Sequence, residues 1–152
     1  MNKTHEQYMD IALKEASKAA AIDEVPIGCV IVKDNKIIAK AHNKKETNQD
    51  PLGHAEIIAI RKAAKKLNNW RLEGCTLYVS IEPCLMCCGA IIQSRIPLVV
   101  YGANDPKGGA IESSLKAFEA ENINHRPEVI KGVRLEESRK IIKDYFKKKR
   151  EK

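Results

Sequence analysis

Residues 76–87 read Thr-Leu-Tyr-Val-Ser-Ile-Glu-Pro-Cys-Leu-Met-Cys, and this stretch decides the fold. Thr76–Ile81 is a run of mostly apolar residues, which is typical of a strand buried on both faces. Pro83 is a helix-start signal, so a helix is expected from Cys84 to Ser94. A second apolar strand follows at Leu98–Tyr101. A strand, a helix and another buried strand in this order predict parallel pairing, with helices covering the sheet.

The segments on either side extend this pattern. Hydrophobic periodicity predicts helices and strands alternately, and residues 1–152 together are expected to form a single α/β domain of three layers, α/β/α, around a mixed five-stranded sheet. Asp34-Asn35 is a turn signal, so the first two strands are expected to form an antiparallel hairpin. The remaining segments are helices at 5–20, 54–67 and Leu135–Lys149, strands at Ile27–Val32, Lys36–Ala41 and Glu128–Val133, a loop at Gly102–Gly109 and a weakly helical stretch at 111–120.

Composition limits the class of protein. The chain has 152 residues, which suits one domain, and five cysteines, an odd number that does not indicate a disulfide framework. Its first residues are polar, and no apolar run approaches the length of a membrane span, so a cytoplasmic protein that does not bind membranes is expected. The net charge of +7 suits a polyanionic partner. The basic run Lys147–Arg150 fits either such a partner or a solvated helix end.

Four residues form a candidate catalytic metal site. His54, Cys84 and Cys87 are ligand types that zinc prefers, and Glu56 is an acid that the ion does not need. Three protein ligands leave a coordination position for water, so we expect one catalytic zinc ion per chain and a zinc-bound hydroxide. Cys88 lies four residues after Cys84 and could replace Cys87 on the same helix side. A redox pair or part of a structural zinc site are the simpler alternatives for such a cysteine pair.

Several landmarks resemble the zinc-dependent nucleobase deaminases of the cytidine-deaminase fold, and among them the bacterial branch that acts on tRNA. The resemblance runs nearly from end to end, and the zinc motifs are its most specific part. The landmarks are Glu24–Gly28, Ala41–Asn43, Asp50–Pro51, His54–Glu56, Glu73–Val79, Glu82–Cys87, Ser94–Ile96, Tyr101–Ala103 and Asn124–Arg126.

The resemblance implies an activity and the residues that perform it. The activity is hydrolytic deamination of the wobble adenosine of a tRNA anticodon to inosine, in a homodimer that binds the anticodon stem-loop. Zinc would be held by His54, Cys84 and Cys87, and Glu56 would shuttle protons. Asn43 would hydrogen-bond the base and Ile27 would form an apolar wall. The splayed anticodon loop would contact Asp105, Lys107, Asn124, His125, Arg126 and Phe146.

Some features leave alternatives open. Leu52-Gly53, Cys88 and Glu112 depart from the family pattern, and Glu112 lies in a loop that is expected to shape the RNA entrance. Asn43 could instead cap a turn, His125 could satisfy a loop carbonyl, and Phe146 could belong to the core. The other enzyme hypothesis is a deaminase of free guanine or another small base. The hypothesis of a different class is a non-catalytic zinc-binding or RNA-binding protein.

Overall fold

The fold is described by a computed structural model of residues 2–151. The chain forms four helices and five strands in the described residues, together with a short 3-10 turn at Ala117–Glu119. In chain order they are α1 (His5–Ala21), β1 (Gly28–Lys33), β2 (Lys36–His42), α2 (Ala55–Leu67), β3 (Cys75–Ile81), α3 (Leu85–Gln93), β4 (Leu98–Ala103), β5 (Glu128–Ile130) and α4 (Leu135–Arg150).

The five strands form one mixed sheet in the order β2-β1-β3-β4-β5. β1 pairs antiparallel with both β2 and β3, whereas β3, β4 and β5 are parallel. The predicted hairpin and the predicted strand–helix–strand unit are therefore both confirmed. Parallel strands place their carboxyl ends at one edge of the sheet, and this edge carries the residues that follow β3.

Helices cover both faces of the sheet. α2 and α3 pack over one face, where Ala59 and Ile91 are fully buried against Leu77. α1 packs over the other face, where Met9 lies against Val30, and α4 lies beside α1. Gly28 allows the close approach of α1, since a Cβ atom there would lie 1.8 Å from the Ala12 carbonyl oxygen. The three-layer arrangement follows from the fact that successive residues of β1 point to opposite faces and are buried on both.

The structure corrects three boundaries. The weak helix predicted at 111–120 is a series of turns with only the short 3-10 segment, because the amide groups of 111–113 bond to a buried carboxylate rather than to preceding carbonyls. The strand predicted at Glu128–Val133 ends at Ile130, and Gly132 turns away with a φ of 78°. The loop predicted at Gly102–Gly109 begins two residues later than predicted, since β4 continues through Ala103.

Within residues 2–151, the helices are too short or too polar to span a bilayer.

Candidate metal centre

Two helix N-termini converge at the carboxyl edge of β3. His54 is the residue that immediately precedes α2, and Cys84 occupies the same position before α3. Both have extended backbones, so each side chain turns back over the start of its helix. Cys87 lies in the first turn of α3 and is fully buried. Because the first amide groups of a helix carry partial positive charge, this location favours thiolates over thiols.

The three predicted metal ligands lie together. The Cys84 Sγ and Cys87 Sγ atoms are each 3.6 Å from His54 Nδ1, and the three ligand atoms all fall within 4.8 Å of one another. Cys88 is also buried, but its Sγ faces the Pro83 carbonyl oxygen at 3.8 Å, outside this group. The geometry thus brings Cys87, rather than Cys88, to the other two residues. Two sulfurs and an imidazole nitrogen at this spacing are consistent with a metal ion.

The protonation states suit metal binding. Hydrogen bonds from Cys87 and then His54 lower the pKa of the Cys84 thiol to about 4, so Cys84 is a thiolate near neutral pH. The hydrogen bond between Cys87 and Cys84 raises the pKa of the Cys87 thiol, because Cys87 is the donor in this bond. The interaction with Cys84 also raises the pKa of His54. Because a metal ion takes the place of such shared protons, its binding to these ligands should release protons.

Glu56 is a buried acid beside the ligand set. It is 3% exposed, and its Oε1 atom has no hydrogen-bond partner among the described residues. Burial raises the pKa of Glu56 to about 7, partly opposed by a hydrogen bond from its own backbone amide. A carboxyl group with a pKa near neutrality can both accept and donate a proton during turnover. An unpartnered buried oxygen is unfavourable for stability, so its retention here is best explained by a group that binds in the site.

Two clefts lie beside α4, and Phe146 lines both. The larger, of about 780 Å³, is lined by Ile27, Asp105 and Lys107. Arg150 from the end of α4 also lines it. Phe146 is 43% exposed, so it lies on a cleft wall rather than in the core. A groove with an exposed aromatic ring and two cationic side chains has the features that suit an unstacked nucleic acid strand.

The smaller cleft, of about 600 Å³, contains Asn43. Asn43 is buried, and its Oδ1 accepts the backbone N–H of Ala55 at 2.8 Å. This bond satisfies one of the free amide groups at the start of α2, so Asn43 does cap that turn. It also ties β2 to the segment that carries His54. The Nδ2 group of Asn43 therefore remains as a donor for a ligand.

The structure does not bring three of the predicted RNA contacts to this edge. His125 Nε2 lies 2.7 Å from the carbonyl oxygen of Ile96, which precedes β4 at the opposite edge of the sheet. The Arg126 guanidinium donates to the carbonyl oxygens of Phe118 and Ala120. Asn124 is exposed on the same segment. These three residues thus lie away from the metal centre of their own chain, and His125 satisfies a loop carbonyl.

The basic residues at the end of α4 do not share one environment. Lys149 Nζ lies 3.1 Å from a carboxylate oxygen of Asp23, and the Tyr145 hydroxyl donates to Asp23 as well. Arg150 instead lines the larger cleft, whereas Lys147 and Lys148 are exposed. The run is therefore not a uniform solvated helix end.

Sequence reasoning assigned no role to Glu82 or Asn104, and it considered Arg150 only as part of the basic run Lys147–Arg150. Glu82 is 3% exposed; burial would raise its pKa, but hydrogen bonds led by the Glu112 amide lower it to about 2. The sequence signal that could have identified Glu82 is its position as an acidic residue directly after the buried strand β3. That Arg150 lines the larger cleft could not be found from sequence, because its placement depends on how α4 packs in the fold.

Residues 3–150 match the model of the MafB19-like deaminase family. A tRNA-specific adenosine deaminase of Bacillus subtilis is 48% identical over 147 residues, which cover 97% of this chain and 91% of that protein.

Solved structures give the same grouping. A structure from work on A-to-I editing by tRNA:A34 deaminases superposes with a TM-score of 0.87 at 45% identity, covering 89% of this chain and 98% of the other. A guanine deaminase from Bacillus subtilis gives a TM-score of 0.66 at 36% identity, with 83% of each chain covered. The structural likeness is therefore greater to the tRNA deaminase than to this free-base deaminase.

Proposed function

The chain belongs to the MafB19-like deaminase family, among the tRNA-specific adenosine deaminases, and we propose that it deaminates adenosine to inosine at the wobble position of a tRNA anticodon. The observation that carries this proposal is the convergence of His54, Cys84 and Cys87 beside the buried carboxyl group of Glu56, whose Oε1 atom has no hydrogen-bond partner among the described residues. A structural metal site has no use for such an acid. This arrangement argues against a non-catalytic binding protein.

Zinc is the ion that best fits the ligand set. Two thiolates and one imidazole match zinc in softness and in number for a catalytic site. When bound, a zinc ion would lower the pKa of a water molecule and so supply a nucleophile near neutral pH. His54, Cys84 and Cys87 would hold one ion per chain.

Glu56 would move protons between the water and the base. Its carboxylate takes a proton from the attacking water and delivers it to the ring nitrogen next to the reacting carbon. Glu56 would then carry the remaining proton of the attacking oxygen to the amino nitrogen, so that ammonia leaves and the oxygen remains on the base as a carbonyl. A pKa of about 7 suits both directions of transfer.

The base would enter between Ile27 and Asn43. Since Asn43 Oδ1 already accepts from Ala55, its Nδ2 group would donate to a ring nitrogen of the base. Ile27 would pack against the base plane. Asp105, Lys107 and Phe146 would hold neighbouring nucleotides in the larger cleft, where Arg150 adds a further cation.

A homodimer would complete the RNA surface. Asn124, His125 and Arg126 lie at the opposite sheet edge, so they can meet the same anticodon loop only from a second copy of the chain. Leu52 and Leu85 flank the metal ligands and are 42% and 56% exposed, which is the kind of apolar surface that a subunit interface covers. A cytoplasmic enzyme is consistent with a tRNA substrate. Sedimentation equilibrium would test the dimer.

The direct test is an assay of zinc-loaded protein with an unmodified anticodon stem-loop that carries adenosine at the wobble position. Nucleoside analysis should detect inosine, and a stem-loop with guanosine at that position is the matched control. Guanine is incubated in parallel. Turnover of free guanine without inosine in the RNA would reject this proposal in favour of a small-base deaminase.

A further inference from the structure

Glu82 lies at the centre of a hydrogen-bond network that the deamination chemistry does not use. It follows β3 directly, and its carboxylate is buried. Oε2 accepts the backbone N–H groups of Ile111, Glu112 and Ser113 at 3.0, 2.8 and 3.0 Å. Oε1 accepts the N–H of Asp105 at 3.1 Å, the side-chain amide of Asn104 at 3.1 Å and the hydroxyl of Ser113. One carboxylate thus receives six donors from a single loop, residues 104–113.

The loop is packed closely around this carboxylate. A Cβ atom at Gly109 would lie 2.3 Å from Glu82 Cδ, so no larger residue fits there without displacing Glu82. The N–H of Ala110 donates to the carbonyl oxygen of Pro83 at 2.8 Å. Pro83 is followed by the metal ligand Cys84. The loop is therefore held against the segment that leads into the metal centre.

The first part of the same loop forms a wall of the larger cleft. Residues 104–108 line it together with Phe146 and Arg150. Glu112 supports this wall from behind, since its Oε1 accepts the Asn104 side-chain amide at 2.7 Å and its Oε2 pairs with Lys131 at 2.9 Å. Glu82 thus connects two parts of the site. It lies two residues before Cys84 in the chain, and its carboxylate is bonded to the loop that lines the larger cleft.

We propose that Glu82 is a positioning residue for the RNA substrate: it fixes the loop bearing Asp105 and Lys107 at the position, relative to the metal centre, from which the nucleotides beside the reacting base are bound. This inference rests on the proposed function. The carboxylate does not touch the reacting atoms. Its loss should therefore weaken capture of the RNA more than it slows the reaction of bound RNA.

The test compares Glu82→Gln with the unmodified zinc-loaded enzyme on the wobble-adenosine stem-loop. The amide of Gln presents its own donors to a site built for an acceptor, so the loop should lose several bonds. We expect KM to rise about tenfold or more with a smaller fall in kcat and an unchanged zinc content. Glu82→Asp keeps the acceptor on a shorter chain and should recover part of the loss. Ser113→Ala removes one hydroxyl donor and should move KM the same way by a smaller factor, even if Glu82→Gln fails to fold.

Glu15→Gln is the matched control. Glu15 is a buried carboxylate on α1 whose hydrogen-bond partners are Lys18 and His42, not residues of the loop. This change should lower stability without raising KM. An equal rise in KM for Glu15→Gln would overturn the proposal, because it would show that general loss of stability explains the effect.

Amide hydrogen exchange separates this proposal from the proposed function. Exchange of peptides spanning 104–113 should be faster by about tenfold or more in Glu82→Gln than in the unmodified protein, whether or not the enzyme acts on tRNA. Unchanged exchange overturns the positioning role in every case. If exchange is faster but KM stays the same, the loop is held by Glu82 without setting RNA capture, and the proposal is also overturned. Absence of inosine with the unmodified enzyme rejects the proposed function instead.

Discussion

Replacing Glu56 with Gln should make the protein more stable at high pH while abolishing most of its activity. The folded protein holds the pKa of Glu56 at about 7, against an ordinary value of 4.5, because burial disfavours the charged form. A difference of this size, at about 1.4 kcal/mol per pH unit, corresponds to about 3 kcal/mol of lost stability once the carboxylate is charged.

The direction follows from proton counting. Between pH 4.5 and 7 the folded state binds more protons at Glu56 than the unfolded state does, so stability falls as the pH rises through this window. Above pH 7 the loss is complete. Below pH 4.5 it is absent, because both states are protonated. Gln resembles the neutral acid in size and carries no charge, so Glu56→Gln should remove the loss without opening a cavity.

The assay is urea unfolding of metal-free protein at pH 5 and pH 8. Glu56→Gln should be more stable than the unmodified chain by about 3 kcal/mol at pH 8 and by much less at pH 5. On the zinc-loaded enzyme, the same change should retain the ion and lower turnover by roughly 10²–10⁴-fold, the usual contribution of a general acid–base. A gain in stability that is equal at the two pH values, or a loss at both, would refute the argument from burial. Loss of zinc would show that Glu56 is a ligand.

Three further predictions concern the metal and the RNA. Cys84→Ala or Cys87→Ala should lose zinc, measured by atomic absorption, whereas Cys88→Ala should retain it. If Cys87→Ala retained zinc and Cys88→Ala lost it, Cys88 would be the ligand instead of Cys87. Zinc binding should tighten as pH rises, because His54 and Cys87 have raised pKa values and must lose protons; calorimetry in buffers of different ionisation enthalpy should detect about one proton or more released per ion. Replacing the three lysines of Lys147–Lys149 by Ala should weaken binding of the stem-loop and lower its salt slope by about one for each phosphate that these lysines neutralise. Activity on a free base should not change, and an unaltered salt slope would assign the phosphate contacts to other cations.

The sequence predicted that His54, Cys84 and Cys87 would lie together, and the structure brings their ligand atoms within 4.8 Å of one another, although spacing alone had left Cys88 as an alternative to Cys87. A residue just before or within the first turn of a helix that follows a strand has a nearly fixed direction, so the spacing of Cys84 and Cys87 limits where their sulfurs can lie. The hairpin and the parallel strand–helix–strand unit were likewise predictable, since a short turn joins antiparallel strands and a helix joins parallel ones, whereas the order of the strands in the sheet was seen only in the structure. The ends of β4 and β5 were less accurate, because they depend on hydrogen bonds with neighbouring strands.

Tertiary structure decided the surroundings of these residues. The sequence shows Asn43, His125 and Phe146 as residue types with several uses, and only the fold showed that the first caps α2, the second bonds a loop carbonyl and the third lines two clefts. Residues 111–113 have a weak helical pattern, yet their amide groups bond to a carboxylate about 30 positions earlier in the chain. Local pattern specifies what a segment can form by itself. A bond between distant segments, such as the one that holds this loop to Glu82, exists only once the sheet has brought them together.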